Sequence, residues 1–149
     1  AEKVEYIISK TGFLGDKLEI EVTETFVMKR IESSIQQLLS LKKLGIEISI
    51  DDFGTGYSSL SYLKQLPIDK LKIDQSFVKN LPNDFDDMAI VNAIVAIAKA
   101  LNMTVIAEGV ETKEHASFLL KEGCQQAQGY LYSVPLKADE LDTTFAQYT

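Results

Sequence analysis

Asp51 and Asp52 are adjacent carboxylates that open the hexapeptide Asp-Asp-Phe-Gly-Thr-Gly at residues 51–56, directly after Ile46, Ile48 and Ile50 alternate with Glu47 and Ser49. That alternation predicts a strand, and Phe53 to Gly56 turns the backbone out of it toward a serine-rich helix start. Neighbouring carboxylates repel each other unless positive charge sits between them, and hard divalent cations are the usual partners. An Asx turn that also caps the next helix accounts for the same hexapeptide without a metal. The other predicted strand ends weigh on that choice: they carry Glu21 and Glu24, Lys72 and Asp74, Glu108 and Glu111, and Gln128. With Asp51 and Asp52 this makes seven acids, one lysine and one amide on one rim. Oxygen donors without histidine or cysteine select magnesium or manganese over zinc. Two such ions about 3.5–4 Å apart are the usual apparatus for in-line attack of water on a phosphodiester. In that chemistry Glu108 is placed to accept a proton, and Lys72 to hold the water or offset phosphate charge.

Each residue also has a structural reading. Glu19 is expected to face away from its strand neighbours, as a solvated or helix-contacting acid. Lys72 and Asp74 would serve equally well as an ion pair. Gln128 before Gly129 fits a simple turn, His115 between Glu114 and Ser117 a solvent-exposed helix position, and Cys124 a small core residue. Phe53, Tyr57 and Tyr62 have the faces to stack on a base, although packing is the commoner role of an aromatic ring.

Composition narrows the classes. The chain has 149 residues, 46% of them apolar and 25% charged, as in an ordinary globular domain. A net charge of −7 argues against a surface for long nucleic acid and leaves room for a small anion held through metal ions. One cysteine and one histidine allow neither an intrachain disulfide nor a Cys/His zinc site. No apolar run reaches the roughly 20 residues that cross a bilayer, so no membrane contact and a cytoplasmic location are expected of this segment.

The elements that would position the rim alternate strand and helix. Residues 1–10 read as a helix ending at Thr11-Gly12. Strands are predicted from about residues 18, 46, 71, 104 and 126, the last running to Leu131. Between them lie helices over Lys29–Leu44 with Gly45 as its cap, Ser58–Leu66 halted by Pro67, a long one after Asp84, Asp86 and Asp87, and one capped by Thr112; Ala138–Ala146 closes the chain. Val105, Ile106 and Ala107 make the fourth strand apolar, as strands covered on both faces are. Strands joined by such helices must run parallel, and α/β folds place their sites at the carboxyl end. The fold class is therefore α/β: a partial TIM-like (β/α) barrel, about five parallel βα units of an eight-unit barrel that typically needs about 250 residues.

Glu21-Val-Thr-Glu24, Asp51-Asp-Phe-Gly-Thr-Gly-Tyr-Ser-Ser-Leu60, Leu66-Pro67, Leu71-Lys-Ile-Asp74, Ala107-Glu-Gly-Val-Glu-Thr112 and Gln128-Gly-Tyr130 occur in this order, and together they resemble the EAL-domain family of cyclic di-GMP phosphodiesterases. The resemblance runs from about Leu18 to Leu141. It implies hydrolysis of cyclic di-GMP to linear pGpG with two Mg²⁺ or Mn²⁺ ions. Glu21 and Asp52 would each ligate one metal and Asp51 bridge both. Lys72 would hold the catalytic water and Glu108 act as general base. Glu24 would brace the loop Phe53–Ser58, with Asp74, Glu111 and Gln128 near the metals or substrate. The family's Glu-Ala-Leu strand and a later asparagine ligand upstream of Glu21 have no counterpart in these residues. The 149 residues are thus expected to be the carboxyl-terminal portion of one EAL-type domain, with little activity alone. Its open barrel edges predict homo-oligomers or association with the missing strands. A binding or protein-interaction module of the same fold is the alternative, and an enolase-like magnesium barrel a less favoured third.

Overall fold

Alternation of charge and apolar bulk along the first three strands dictates a sheet with one polar and one apolar face there, and the computed structural model shows it. It describes residues 1–55, 60–137 and 140–141. Five strands, β1 (Glu19–Thr23), β2 (Glu47–Phe53), β3 (Lys70–Ile73), β4 (Thr104–Ala107) and β5 (Gln126–Ala127), pair in chain order, and every pairing is parallel. Helix α1 (Glu2–Thr11) precedes the sheet; parallel neighbours require crossovers, supplied by α2 (Glu24–Lys29), α3 (Ile31–Lys42), α4 (Leu60–Leu63), α5 (Gln75–Val78), α6 (Phe85–Ala100) and α7 (Lys113–Glu122).

The register sorts the side chains. Ile20 lies beside Ile48, Val22 beside Ile50, Ile50 beside Leu71, Leu71 beside Val105, and Ile73 beside Ala107. Helices α3 and α6 pack on the sheet, and Ile48, Ile50, Leu71 and Ile73 are fully buried in the core they share with Val91, Ile94 and Ala98. On the opposite face the same strands carry Glu19, Glu21, Glu47, Ser49, Asp51, Lys70 and Lys72. Because side chains alternate strictly, each strand serves the core and the polar face at once.

Helix boundaries follow their caps. The Thr112 hydroxyl accepts from the His115 amide at 3.1 Å, the Asp84 carboxylate from Asp86 and Asp87, and Gly12 and Gly123 end α1 and α7 in the left-handed conformation.

Five expectations change. The helix expected over Lys29–Leu44 is α3, Ile31–Lys42, and a separate helix α2 that the sequence reading lacks runs ahead of it to Lys29, the backbone breaking between them at Arg30 (φ −147°). The fifth strand is two residues long rather than six, since Gly129 (φ +153°) lies against the Val110 backbone and turns the chain away from the sheet. Strand β4 is covered on one face, with Val105 and Ala107 buried and Thr104 and Ile106 half-buried. His115 is buried, at 7% exposure, because the first turn of α7 folds it inward. Glu19, on the same side of β1 as Glu21, pairs with Lys70 instead of meeting solvent or a helix. Of the closing helix, Glu140 and Leu141 are helical and the rest lies outside the described residues, as do Gly56 to Ser59, which include Tyr57 and the start of the helix expected over Ser58–Leu66.

Candidate active site

The carboxyl ends of β1 to β4 meet around one ammonium group. Lys72 points from the third residue of β3 onto the polar face and is only 2% exposed. Its Nζ lies 2.8 Å from Glu21 Oε2, 3.3 Å from Asp51 Oδ1 and 2.5 Å from Glu108 Oε1, so one cation ties β1, β2 and the end of β4 to β3. Burial by itself would lower this lysine, but hydrogen bonds to Glu108 and Glu21 and the charges of Glu108 and Asp51 outweigh it and hold the group above its ordinary value. Glu108 moves up: its burial, with the nearby charges of Asp51 and Glu21, outweighs the stabilising contact with Lys72. A carboxylate raised in this way is a better proton acceptor than an ordinary glutamate. Gln128 Nε2, just past β5, donates to Glu108 Oε1 at 2.9 Å, which fixes the orientation of that carboxylate.

Strand β2 ends irregularly, and that irregularity aims the acidic pair. Its register with β3 shifts between Ile50 and Phe53, and Asp52 takes φ +56°, a left-handed conformation that non-glycine residues adopt at a cost of about 1 kcal/mol. The Asp52 amide donates to Asp51 Oδ1 at 3.0 Å. Asp52 titrates above the usual carboxylate range, through burial first and then through the charges of Asp51 and Asp74. Asp74 does not pair with Lys72; its Oδ1 accepts from the Ser76 amide at 2.9 Å and caps α5, which leaves it beside Asp52. Glu24, 3% exposed at the start of α2, accepts from the Gly54 amide at 3.3 Å, so the expected brace reaches the part of the loop that is described. Glu111 and Gln128 line an open cleft of about 450 Å³ with Gln75, Glu108, Tyr130 and Pro135.

The donor set fits a hard divalent cation in kind: all oxygens, with Asp51, Asp52 and Asp74 crowded enough to raise Asp52. In number it is incomplete, because among the described residues no three acids or histidines close into a cluster able to hold an ion. The space between Glu21, Asp51 and Glu108 is taken by the Lys72 ammonium.

A second cluster lies two residues below the first. Lys70 Nζ is 2.7 Å from Glu19 Oε2 and 2.7 Å from Glu47 Oε2. Burial pushes Glu19 up, yet the hydrogen bond and charge of Lys70 hold it below the usual carboxylate range. Lys70 and Glu47 lie outside the set of strand-end residues that the sequence pattern outlines. The signal is present as an i, i+2 echo, Lys70/Lys72 against Glu19/Glu21, but it becomes legible only once the register places those strands side by side.

Comparison with known proteins identifies relatives of the same fold. A family model described as EAL domain matches residues 1–135. The cyclic di-GMP phosphodiesterase NbdA of Pseudomonas aeruginosa is 44% identical over 147 residues, 99% of this chain and 19% of that protein. Among solved structures, a PaMucR phosphodiesterase in complex with c-di-GMP superposes with a TM-score of 0.90 at 45% identity, over 94% of this chain and 57% of its own. A Klebsiella pneumoniae BlrP1 complex with manganese and cy-diGMP gives 0.82 at 36% identity, over 90% of this chain and 35% of its own. The chain therefore spans about a fifth of the curated relative and between a third and three fifths of these solved chains.

Proposed function

This chain belongs to the EAL-domain family, and from that premise we propose that it is the carboxyl-terminal portion of a domain that hydrolyses cyclic di-GMP to linear pGpG. The observation that carries the reading is the convergence of Glu21, Asp51 and Glu108 on the buried Lys72 Nζ, which brings residues from four strands to one point. Relatives named as phosphodiesterases and solved as cyclic di-GMP complexes support the substrate. The calcium and manganese complexes of BlrP1 support a divalent ion.

In the reaction, a water oxygen forms a bond to phosphorus as the P–O3′ bond breaks, and the departing 3′ oxygen takes up a proton. Glu108, raised and oriented by Gln128, accepts the proton from that water. Lys72 holds the water between the strand ends and offsets negative charge as it grows on the phosphoryl oxygens. Glu21, Asp51 and Asp52 would hold Mg²⁺ or Mn²⁺, which when bound supplies acidification of water and charge neutralisation. Glu24 keeps the turn after Asp52 in place through Gly54. Asp74, by capping α5, presents negative charge beside Asp52, while Glu111 and Gln128 line the cleft that would receive one end of the substrate. Because the family's Glu-Ala-Leu and asparagine ligands have no counterpart in the 149 residues, the chain on its own is expected to be nearly inactive. Strands β1 and β5 are the two edges of the sheet, so self-association or pairing with further barrel strands is part of the same reading.

The test is turnover of cyclic di-GMP by this chain and by the full-length protein that carries it, with Mg²⁺ and after chelation. Metal-dependent release of pGpG by the full-length protein alone supports the reading. Brisk hydrolysis by the 149 residues refutes the ligand argument. Tight binding of cyclic di-GMP without cleavage by the full-length protein favours a sensor instead.

A further inference from the structure

The turn from Glu108 to Thr112 carries the proposed base, and its backbone is held at almost every step. The Glu108 amide donates to Ile73 O at 3.1 Å, the Val110 amide to Gln128 O at 3.0 Å, and Val110 O accepts from the Leu131 amide at 3.0 Å. Gly109 has φ +65°, and a Cβ there would stand 2.7 Å from Gln75 Cβ, so a side chain has no room on the side of this turn that faces α5. The remaining contact is different in kind. The Glu111 amide donates to His115 Nδ1 at 3.4 Å, and among the described hydrogen bonds made by backbone groups of this turn it is the only one whose acceptor is a titratable side chain.

His115 is itself fixed. Its amide donates to Thr112 Oγ1, and its ring is 7% exposed at the first turn of α7. For Nδ1 to accept, the imidazole must be neutral and carry its hydrogen on Nε2; an imidazolium has hydrogen on both nitrogens and repels the Glu111 amide. The ring shares its surroundings with Lys79 just beyond α5, Asp84 at the start of α6, and Glu111 and Glu114 from its own loop and helix.

We infer that His115, as the neutral Nε2–H tautomer, is a positioning residue: it fixes the Glu108–Thr112 turn through the Glu111 amide, and so sets where Glu108 meets Lys72 and Gln128. The inference rests on the proposed phosphodiesterase reading for its kinetic readout, and on the imidazole itself for a readout that needs no turnover. Asparagine can present an acceptor where Nδ1 stands, and leucine cannot.

The experiment compares the full-length protein with its H115L and H115N variants. In H115L, kcat falls about tenfold at near-constant KM, as expected when one amide hydrogen bond is lost and a reacting group drifts. In H115N, kcat returns to within about twofold, the size expected when the acceptor is kept. In parallel, ¹⁵N spectra of the histidine ring, assigned by the signals that vanish in H115N, show an unprotonated Nδ1, and the Glu111 amide shift follows the ring as pH is lowered. Full activity of H115L, equal loss in H115L and H115N, or hydrogen on Nδ1 at neutral pH overturns the inference. If the wild type cleaves nothing, the phosphodiesterase reading falls, and the tautomer and the Glu111 shift decide on His115 alone.

Discussion

Replacing Lys72 by methionine keeps the length of the side chain and removes the one cation shared by Glu21, Asp51 and Glu108. Breaking a fully buried ion pair by deleting one partner costs about 3–5 kcal/mol, because the partner is left buried and uncompensated. Here the side chains of Glu21, Asp51 and Glu108 keep 50%, 24% and 19% of their exposure, so water screens part of that charge and the cost drops to about 2–3 kcal/mol. For a chain of this size that lowers Tm by about 5–10 °C. The pH dependence has a definite sign. Glu108 is already raised by burial and by Asp51 and Glu21, and without Lys72 it rises further. A folded carboxyl raised above its unfolded value binds more protons in the native state, so stability falls as pH rises through the window between the two values. The wild-type lysine, raised in turn, contributes fully at any pH below its unfolded value and loses that contribution only in strong alkali. The K72M deficit is therefore full near pH 8 and narrows toward pH 5. Thermal unfolding of both proteins, followed by circular dichroism at the two pH values with a chelator present, measures it. A deficit below about 0.5 kcal/mol at pH 8, well under the range for a broken buried pair, or one that does not shrink on acidification, would refute the idea that these carboxylates depend on a single ammonium.

Glu108→Gln in the full-length protein removes the proton acceptor while keeping an oxygen near Lys72, and turnover should fall by about 10²–10⁴-fold with folding preserved; a near-native rate in a pGpG release assay would remove Glu108 from the mechanism. Lys70→Met releases Glu19 and Glu47, both partly exposed, and should cost only about 1 kcal/mol. Since Glu19 is held low, its contribution is present above its unfolded value and lost as pH falls through the folded one, so the difference from wild type should close below about pH 4 in denaturant titrations. Gly109→Ala forces a Cβ to 2.7 Å from Gln75 Cβ at φ +65° and should destabilise by about 2 kcal/mol or more, with kcat lowered through displacement of Glu108; unchanged melting and turnover would show that this turn can give way.

The acidic strand ends and the parallel topology were readable from the chain alone, because both are written in local pattern. Ile46-x-Ile48-x-Ile50 running into Asp51-Asp52 announces a strand with an acidic end whatever the rest of the fold does, and helix-length spacers between such strands leave only a parallel sheet. Turns and caps at Gly12, Gly45, Asp84 and Thr112 were equally local. What no local pattern could decide was which side chains meet. That Asp74 caps α5 rather than pairing with Lys72 depends on where β3 stops. That Glu19 joins Lys70 and Glu47, two residues below the Lys72 cluster, depends on the register of three strands, where a slip of one residue would send every charge to the core face. That the only histidine is buried against the turn bearing Glu108, and not in solvent between Glu114 and Ser117, depends on how α7 packs. Periodicity specifies the face a residue shows; only the docking of strands and helices decides what that face touches.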